Sequence, residues 1–205
     1  MNISRLVFAI LIGACAYAYS FGEEKGQEKK KSVPAPALKA FDPSADKKKN
    51  NSNLLDAERL SKSLATWAKT RELCGGNYSY KVIKSSFTGH RTETTIVVRD
   101  NKVVERKFES SQPNFLGKPE PPKLEWMETE KEIGSHKNAP EARTMDELYQ
   151  VAKKLVEAEV PENHVRSLGI DNQGLLQHCF IRDSRIQDDA PMSGVPGIQL
   201  TLGKK

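Results

Sequence analysis

NYSYKVIKSSFTGHRTETTIVVRDNKVVERKFE, residues 77–109, is the stretch on which the fold turns. Apolar residues alternate at Tyr78, Tyr80 and Val82, again around Ile96 and Val98, and once more at Val104. A period of two turns one face of a half-buried strand toward a core. Thr92, Thr94, Thr95, Val97 and Val103 add branched side chains that suit a pleated surface. Asp100-Asn101 lies between two such runs, and both residues tolerate positive φ, so the pair reads as the tight turn of a hairpin. The stretch therefore predicts a three-stranded antiparallel meander.

Upstream, Leu60, Leu64, Trp67 and Ala68 follow helical spacing, with Glu58, Arg59, Lys62 and Lys69 on the other face. That predicts an amphipathic helix over Leu54–Leu73, capped by Ser52 or Asn53 and stopped by Cys74-Gly75-Gly76. Trp67 on this stripe is a core residue. Downstream, Pro113, Pro119, Pro121 and Pro122 exclude a helix or a central strand from the first half of Ser110–Arg143. Leu124–Glu128 reads as a further edge strand ending before Gly134. A connection as long as 111–140 is uncommon in a compact domain and makes this Pro-rich loop the first place to look for a binding loop. An aromatic groove near Trp126 would mark a binding function.

Thr144-Met145-Asp146-Glu147 has the capping-box pattern, and Leu148, Val151, Ala152, Leu155 and Val156 form one apolar face behind it. Pro161 ends this second helix. Val165–Ile170, the turn Asp171–Gly174 and Leu175–Ile181 form another hairpin, with Leu175, Gln177, Cys179 and Ile181 on one face. Ile198, Leu200 and Leu202 supply a last short strand. The expected class is α+β, with two helices packed on one antiparallel sheet and the two halves sharing that sheet as two α-then-β units.

The first fifty residues have a different character. One charge at Arg5, the apolar run Leu6–Ala14 and the small-x-small Ala16-Tyr17-Ala18 make residues 1–20 an export signal. Leu11–Cys15 offers a second reading, a lipobox in which Cys15 becomes the lipidated first residue and the one link to a membrane. Residues 21–52 mix Lys, Glu, Pro and Ala with little to bury, and read as a disordered linker. The folded domain is then 53–205, and the location extracytoplasmic, either secreted or periplasmic.

The net charge of +5 suggests nucleic acid until it is divided along the chain. Residues 1–20 carry +1, and 21–52 carry eight lysines against five acids. Residues 53–205 hold 23 basic and 22 acidic side chains, so the domain lacks the basic face of a nucleic-acid binder.

With Cys15 removed or lipidated, Cys74 and Cys179 remain as an even pair. In an oxidising compartment they are expected to form one disulfide, closing a loop of ~100 residues with a stabilising ceiling near 4.7 kcal/mol. His90 and His136 fall in loops and read as solvated. The four histidines, His164 and His178 included, follow no HExxH-type frame, and no Gly-rich phosphate loop or nucleophile elbow is present, so neither metal nor cofactor is expected. His178 with the carboxylates Asp183, Asp188, Asp189 and, upstream, Asp171 is the one grouping from which a small hydrolase would be built. Convergence of those side chains in one cleft is what such an enzyme requires.

Cys74-Gly75-Gly76-Asn77-Tyr78-Ser79-Tyr80, Glu93–Glu109, Thr144–Ala152 and Asp171–Pro191 together resemble a group of small exported bacterial proteins of unknown function. The resemblance implies a lone helix-on-sheet domain behind a signal peptide, and brings no activity or catalytic residue. The expected function is an exported, non-enzymatic module that binds an unidentified protein or envelope polymer. An inhibitor of an extracellular hydrolase, inserting the Pro-rich loop, falls within that class. The small hydrolase is the rival.

Overall fold

Asp100 and Asn101 adopt φ of 48° and 61°, the paired left-handed conformation of a type I′ turn, and join strands β2 (Arg91–Arg99) and β3 (Lys102–Ser111). The structure, a computed structural model, describes residues 43–114, 117–118, 120–186 and 191–203, with side chains from residue 53 onward. Residues 1–20, expected to be an export signal and including Cys15, and residues 21–42 of the expected linker lie outside the described residues.

Strand β1 (Tyr78–Ser85) runs antiparallel to β2, so the meander forms as its alternation predicts. Tyr78, Tyr80 and Val82 are buried, as are Ile96 and Val98 opposite them. The third strand departs from expectation by one residue. Val97 pairs with Glu105 and Val98 with Val103, so Val104 is the extra residue of a β-bulge. Val104 is exposed, and Val103 packs against the core in its place.

A helix, α1 (Pro43–Leu73), precedes the meander and starts eleven residues before its expected beginning at Leu54. Residues 43–52, read as linker, are its first turns. Proline suits a first helical position, where no N–H partner is needed, and Lys47–Lys49 are good helix formers. Its buried stripe is Leu60, Ser63 and Trp67, with Cys74 buried just past its end, while Leu64 is 38% exposed. Trp67 is fully buried, edge-on to Tyr78 at 5.0 Å and stacked beside Tyr149 at 6.5 Å. Gly75 and Gly76 end the helix with φ of 60° and 70°. The Gly76 carbonyl accepts a 3.1 Å bond from the Asn101 N–H, and a Cβ at Gly76 would fall 2.6 Å from the Asn101 side chain. The helix stop and the hairpin turn thus fit against one another.

Strand β4 (Lys123–Thr129) extends the meander at its edge and leads through a turn of 3-10 helix to α2 (Met145–Glu157). Both halves of the capping box are made. Thr144 Oγ1 accepts from the Glu147 N–H at 3.3 Å, and the Glu147 carboxylate accepts from the Thr144 N–H at 2.6 Å. The apolar face buries Met145, Leu148, Tyr149, Ala152 and Val156. The other end is closed by Arg166, whose guanidinium donates to the carbonyls of Leu155 at 3.0 Å and Val156 at 3.2 Å. Arg166 also reaches Asp56 and Asn53 on α1, tying both helices to one strand.

That strand is β5 (His164–Ile170), paired with β6 (Leu176–Asp183) across a turn in which the Asp171 carboxylate accepts from the Gln173 and Leu175 N–H groups. Ile170 pairs with Leu176 and Gly169 with His178, so Gln177 bulges out. The bulge shifts the alternation. Leu176 and Cys179 are buried under α2, whereas Gln177, expected beside Cys179, is exposed.

Strand β7 (Ser193–Val195) adds to β6, and β8 (Ile198–Leu202) adds to β1. The α+β class holds, with two helices packed on antiparallel sheet. The strands expected in one sheet divide into β4-β3-β2-β1-β8 and β5-β6-β7. Pro196-Gly197 is where the chain passes from one ladder to the other. A single cluster that includes Trp67, Tyr78, Tyr149, Leu175 and Cys179 fills the space between helices and strands. Among the described residues no helix is long and apolar enough to cross a membrane.

Candidate functional site

The passage from β7 to β8 borders a concavity. β1 pairs with β2 along its whole length, from Tyr78 to Ser85, but with β8 only from Tyr78 to Val82. Beyond Ile198 the chain turns at Pro196-Gly197 and joins β6 instead. A cleft of about 640 Å³ is left between the end of β1 and β7. Val82, Ile83, Phe180, Met192 and Ile198 supply apolar walls, with Tyr80 and Leu148 below. Its volume and mixed lining suit a binding site.

The charge at its rim comes from few groups. Arg143 is occupied by Glu141, with a 2.8 Å bond from Nε. Lys81, one turn of the pleat away, is paired with Glu93, whose pKa is lowered by the hydrogen bond from that lysine. Lys84 lines the cleft with no carboxylate paired to it among the described residues. Among the described residues the cleft therefore carries one positive charge without a paired carboxylate, beside an apolar floor.

The Pro-rich loop has a different role in its second half. Trp126 is sandwiched between Phe108, ring centroids 5.2 Å apart, and His136, 4.2 Å apart and nearly parallel. It does not line an open groove. Beside it Arg106 and Glu128, a cross-strand pair each 1% exposed, form a buried ion pair at 3.1 Å. Glu128 also accepts from the N–H groups of Gly134 at 2.7 Å and His136 at 2.6 Å, from Ser135 Oγ at 2.9 Å, and faces His136 Nδ1 at 2.9 Å. Arg106 donates to the carbonyls of His136 and Ala139, each at 3.1 Å. Burial favours the neutral form of Glu128, but the donors from His136, Gly134 and Ser135 outweigh it and bring its pKa down to about 2. The loop is thereby fastened over β3 and β4. His136 is exposed as expected, and its ring and backbone also join this cluster.

The described residues of the hydrolase reading do not converge. His178 shares a 2.9 Å hydrogen bond with Ser167 through Nε2 and packs by Phe180 at 5.2 Å. Its ring lies so close over Gly169 that a Cβ there would fall 2.2 Å from it, and burial lowers its pKa. No carboxylate bonds to it among the described residues. Asp183 is five residues along β6, ~17 Å away in a strand and on the opposite face. Its carboxylate is engaged by Arg185 at 2.6 Å. Asp171 is used by its own turn, and Asp188 and Asp189 lie outside the described residues. His164 Nδ1 bonds to the Glu162 carbonyl at 2.9 Å. Among the described residues no three His, Cys, Asp or Glu side chains are grouped to hold a metal ion.

Cys74 and Cys179 are two separate buried thiols, in contrast to the expected bond. Cys74 sits at the end of α1 against the Arg71 carbonyl, 3.5 Å from Sγ. Cys179 sits beneath the middle of α2 against the Ala152 carbonyl, 3.8 Å from Sγ. The face of β6 that carries Cys179 is covered by α2 rather than by the last turn of α1, which is why the two do not meet. Burial raises the Cys179 thiol to about 11.

Sequence reasoning missed the cleft, because it arises from where β8 stops along β1. It also missed Arg106 and Glu128, whose pairing exists only once β3 and β4 are in register. The fold is helix-on-sheet α+β, with a cleft at the end of β1. No family model, curated protein or solved structure matches the chain.

Proposed function

We propose that this protein is an exported, non-catalytic binding module whose partner is another protein, held in the cleft between β1 and β7. The observation that carries the reading is that cleft: about 640 Å³, walled by Val82, Ile83, Phe180 and Met192, with Lys84 at its rim paired to no carboxylate among the described residues. A catalytic reading draws nothing comparable from the described residues, since among them the Ser167–His178 pair has no acid bonded to it and lies within sheet. The inhibitor form of the reading is narrowed too. The second half of the Pro-rich loop serves as cover for β3 and β4, so the cleft is the contact surface instead.

Export rests on the pattern Arg5–Ala18. A mature chain beginning after Ala18, or at a lipidated Cys15, is the expected product, and intact-mass measurement of native protein tests it. A mass that retains Met1–Ala14 would remove the extracytoplasmic part of the proposal.

The binding part is tested with a photo-crosslinking amino acid at Met192, 52% exposed in the cleft, and at Val165, 42% exposed on the far strand of the small sheet. Discrete protein adducts from position 192 and none from 165, in the native host, are the expected result. Equal labelling from both, or none from 192, would count against the cleft.

A further inference from the structure

The cleft is bordered by the end of β1, where the edge on the β8 side has no neighbouring strand among the described residues. The β1–β8 ladder ends at Val82 opposite Ile198, so on that side the backbone of Ile83, Lys84 and Ser85 meets no strand among the described residues. β7 uses one edge, pairing Val195, Gly194 and Ser193 with Cys179, Phe180 and Ile181 of β6. The break has a covalent cause. Continued backward, the β8 register would set Pro196 opposite Lys84, and proline has no N–H to give a ladder. The chain bends away there and leaves a gap with a strand edge on the β1 side.

We infer that the occupant of the cleft is an extended segment of a partner protein that adds as a strand to the open edge of β1 at Ile83–Ser85. Its side chains are apolar, with an acidic residue beside them. This rests on the reading of the cleft as the binding site, and supplies the chemistry of what fills it.

Three observations select that occupant. A strand edge offers N–H and C=O groups at the repeat of another backbone, which a polysaccharide or a small molecule cannot match over several residues. Val82, Phe180, Met192 and Ile198 line the cleft beside that edge, within reach of the side chains of an added strand. Lys84, on the edge itself, is the one rim charge with no carboxylate paired to it among the described residues, and calls for an acidic neighbour. Exposed edges of this kind are normally blocked or covered in stable proteins. Here the bend at Pro196 leaves one unpaired among the described residues, inside a concave site.

The test uses the native protein and an array of synthetic heptapeptides alternating Val, Ile or Thr with Asp, Glu, Ser or Lys, read by fluorescence anisotropy. Peptides with Asp or Glu are expected to bind. N-methylation of every second amide weakens them about five- to tenfold per blocked bond, while the intervening amides tolerate it. Lys84→Glu exchanges the preference for acidic peptides with one for lysine-bearing peptides, by about tenfold. If binding is abolished by Met192→Glu yet indifferent to N-methylation at every position, the cleft binds by side chains alone and strand addition is wrong. Should no peptide bind, or should binding ignore both Met192→Glu and Lys84→Glu, the cleft reading itself falls.

Discussion

Tyr78, in the first strand, holds the first residue of the second helix: its phenol oxygen accepts the Met145 N–H at 2.8 Å. Two residues along, Tyr80 donates to the Arg143 carbonyl at 2.7 Å. The two phenols thus grip the backbone on either side of Thr144, the helix cap. They set where α2 starts, and so where Leu148 meets the floor of the cleft. Tyr78→Phe leaves a buried N–H without a partner, which costs about 1–3 kcal/mol. Urea unfolding with an unchanged slope and a lowered midpoint is expected. A loss under about 0.5 kcal/mol would mean that water replaces the phenol.

Burial raises Tyr78 to about 12 and moves Tyr80 upward as well. A tyrosine of the unfolded chain ionises near 10, so between those values the unfolded state has lost a proton that the folded state retains. Stability contributed by these residues is full below pH ~10 and falls as pH rises through the folded pKa. Alkaline unfolding should begin above pH ~10, and Tyr78→Phe should flatten that limb. Thermal melts across pH 8–12, a range chosen to span about two units around the free value, check this.

Glu128 has the opposite sign. Its folded pKa of about 2 lies below the value of an unfolded glutamate, so its contribution is present above pH ~4.3 and disappears as pH falls toward the folded value. Glu128→Gln leaves Arg106 charged and buried without its partner, an expected loss of about 3–5 kcal/mol. Replacing both, as Arg106→Met with Glu128→Leu, should recover much of that stability while freeing residues 133–139 to protease. If the single variant is as stable as the parent and cut no faster there, the pair does not fasten the loop.

The two thiols give a chemical check on the packing. Both are buried, and that of Cys179 is held protonated well above neutral pH. Thiolate is the reacting form, so Ellman's reagent at pH 8 should find no rapidly reacting thiol in the folded domain and two after denaturation. A Cys74–Cys179 bond in native protein would require α1 to end over β6, contrary to the packing described.

The sequence was most readable where local pattern and burial agree. The Asp100-Asn101 turn, the capping box at Thr144 and the β4 edge strand all follow from residues within one turn or strand. Errors came from single insertions and from partners far along the chain. One extra residue at Val104 and one at Gln177 reversed which neighbours face inward, and alternation cannot reveal a bulge before the opposing strand is known. Tyr149 escaped notice because its hydroxyl is satisfied by Ser63 at 2.7 Å and by the Leu176 N–H at 2.9 Å, neither near it in sequence. The cleft is of the same kind. Pro196 could be read as a break, but only the β1–β8 register shows which edge the break leaves open.

Backbone amide exchange of Ile83, Lys84 and Ser85, read residue by residue with and without the tightest-binding heptapeptide, tests the central claim most directly. In the free protein one or more of these amides points into the cleft and should exchange quickly, while those bonded to β2 are protected. Saturating peptide should slow the open ones at least about tenfold and leave the outer face of α1 unchanged. Unchanged exchange at 83–85 with peptide fully bound, or new protection elsewhere, would contradict the account.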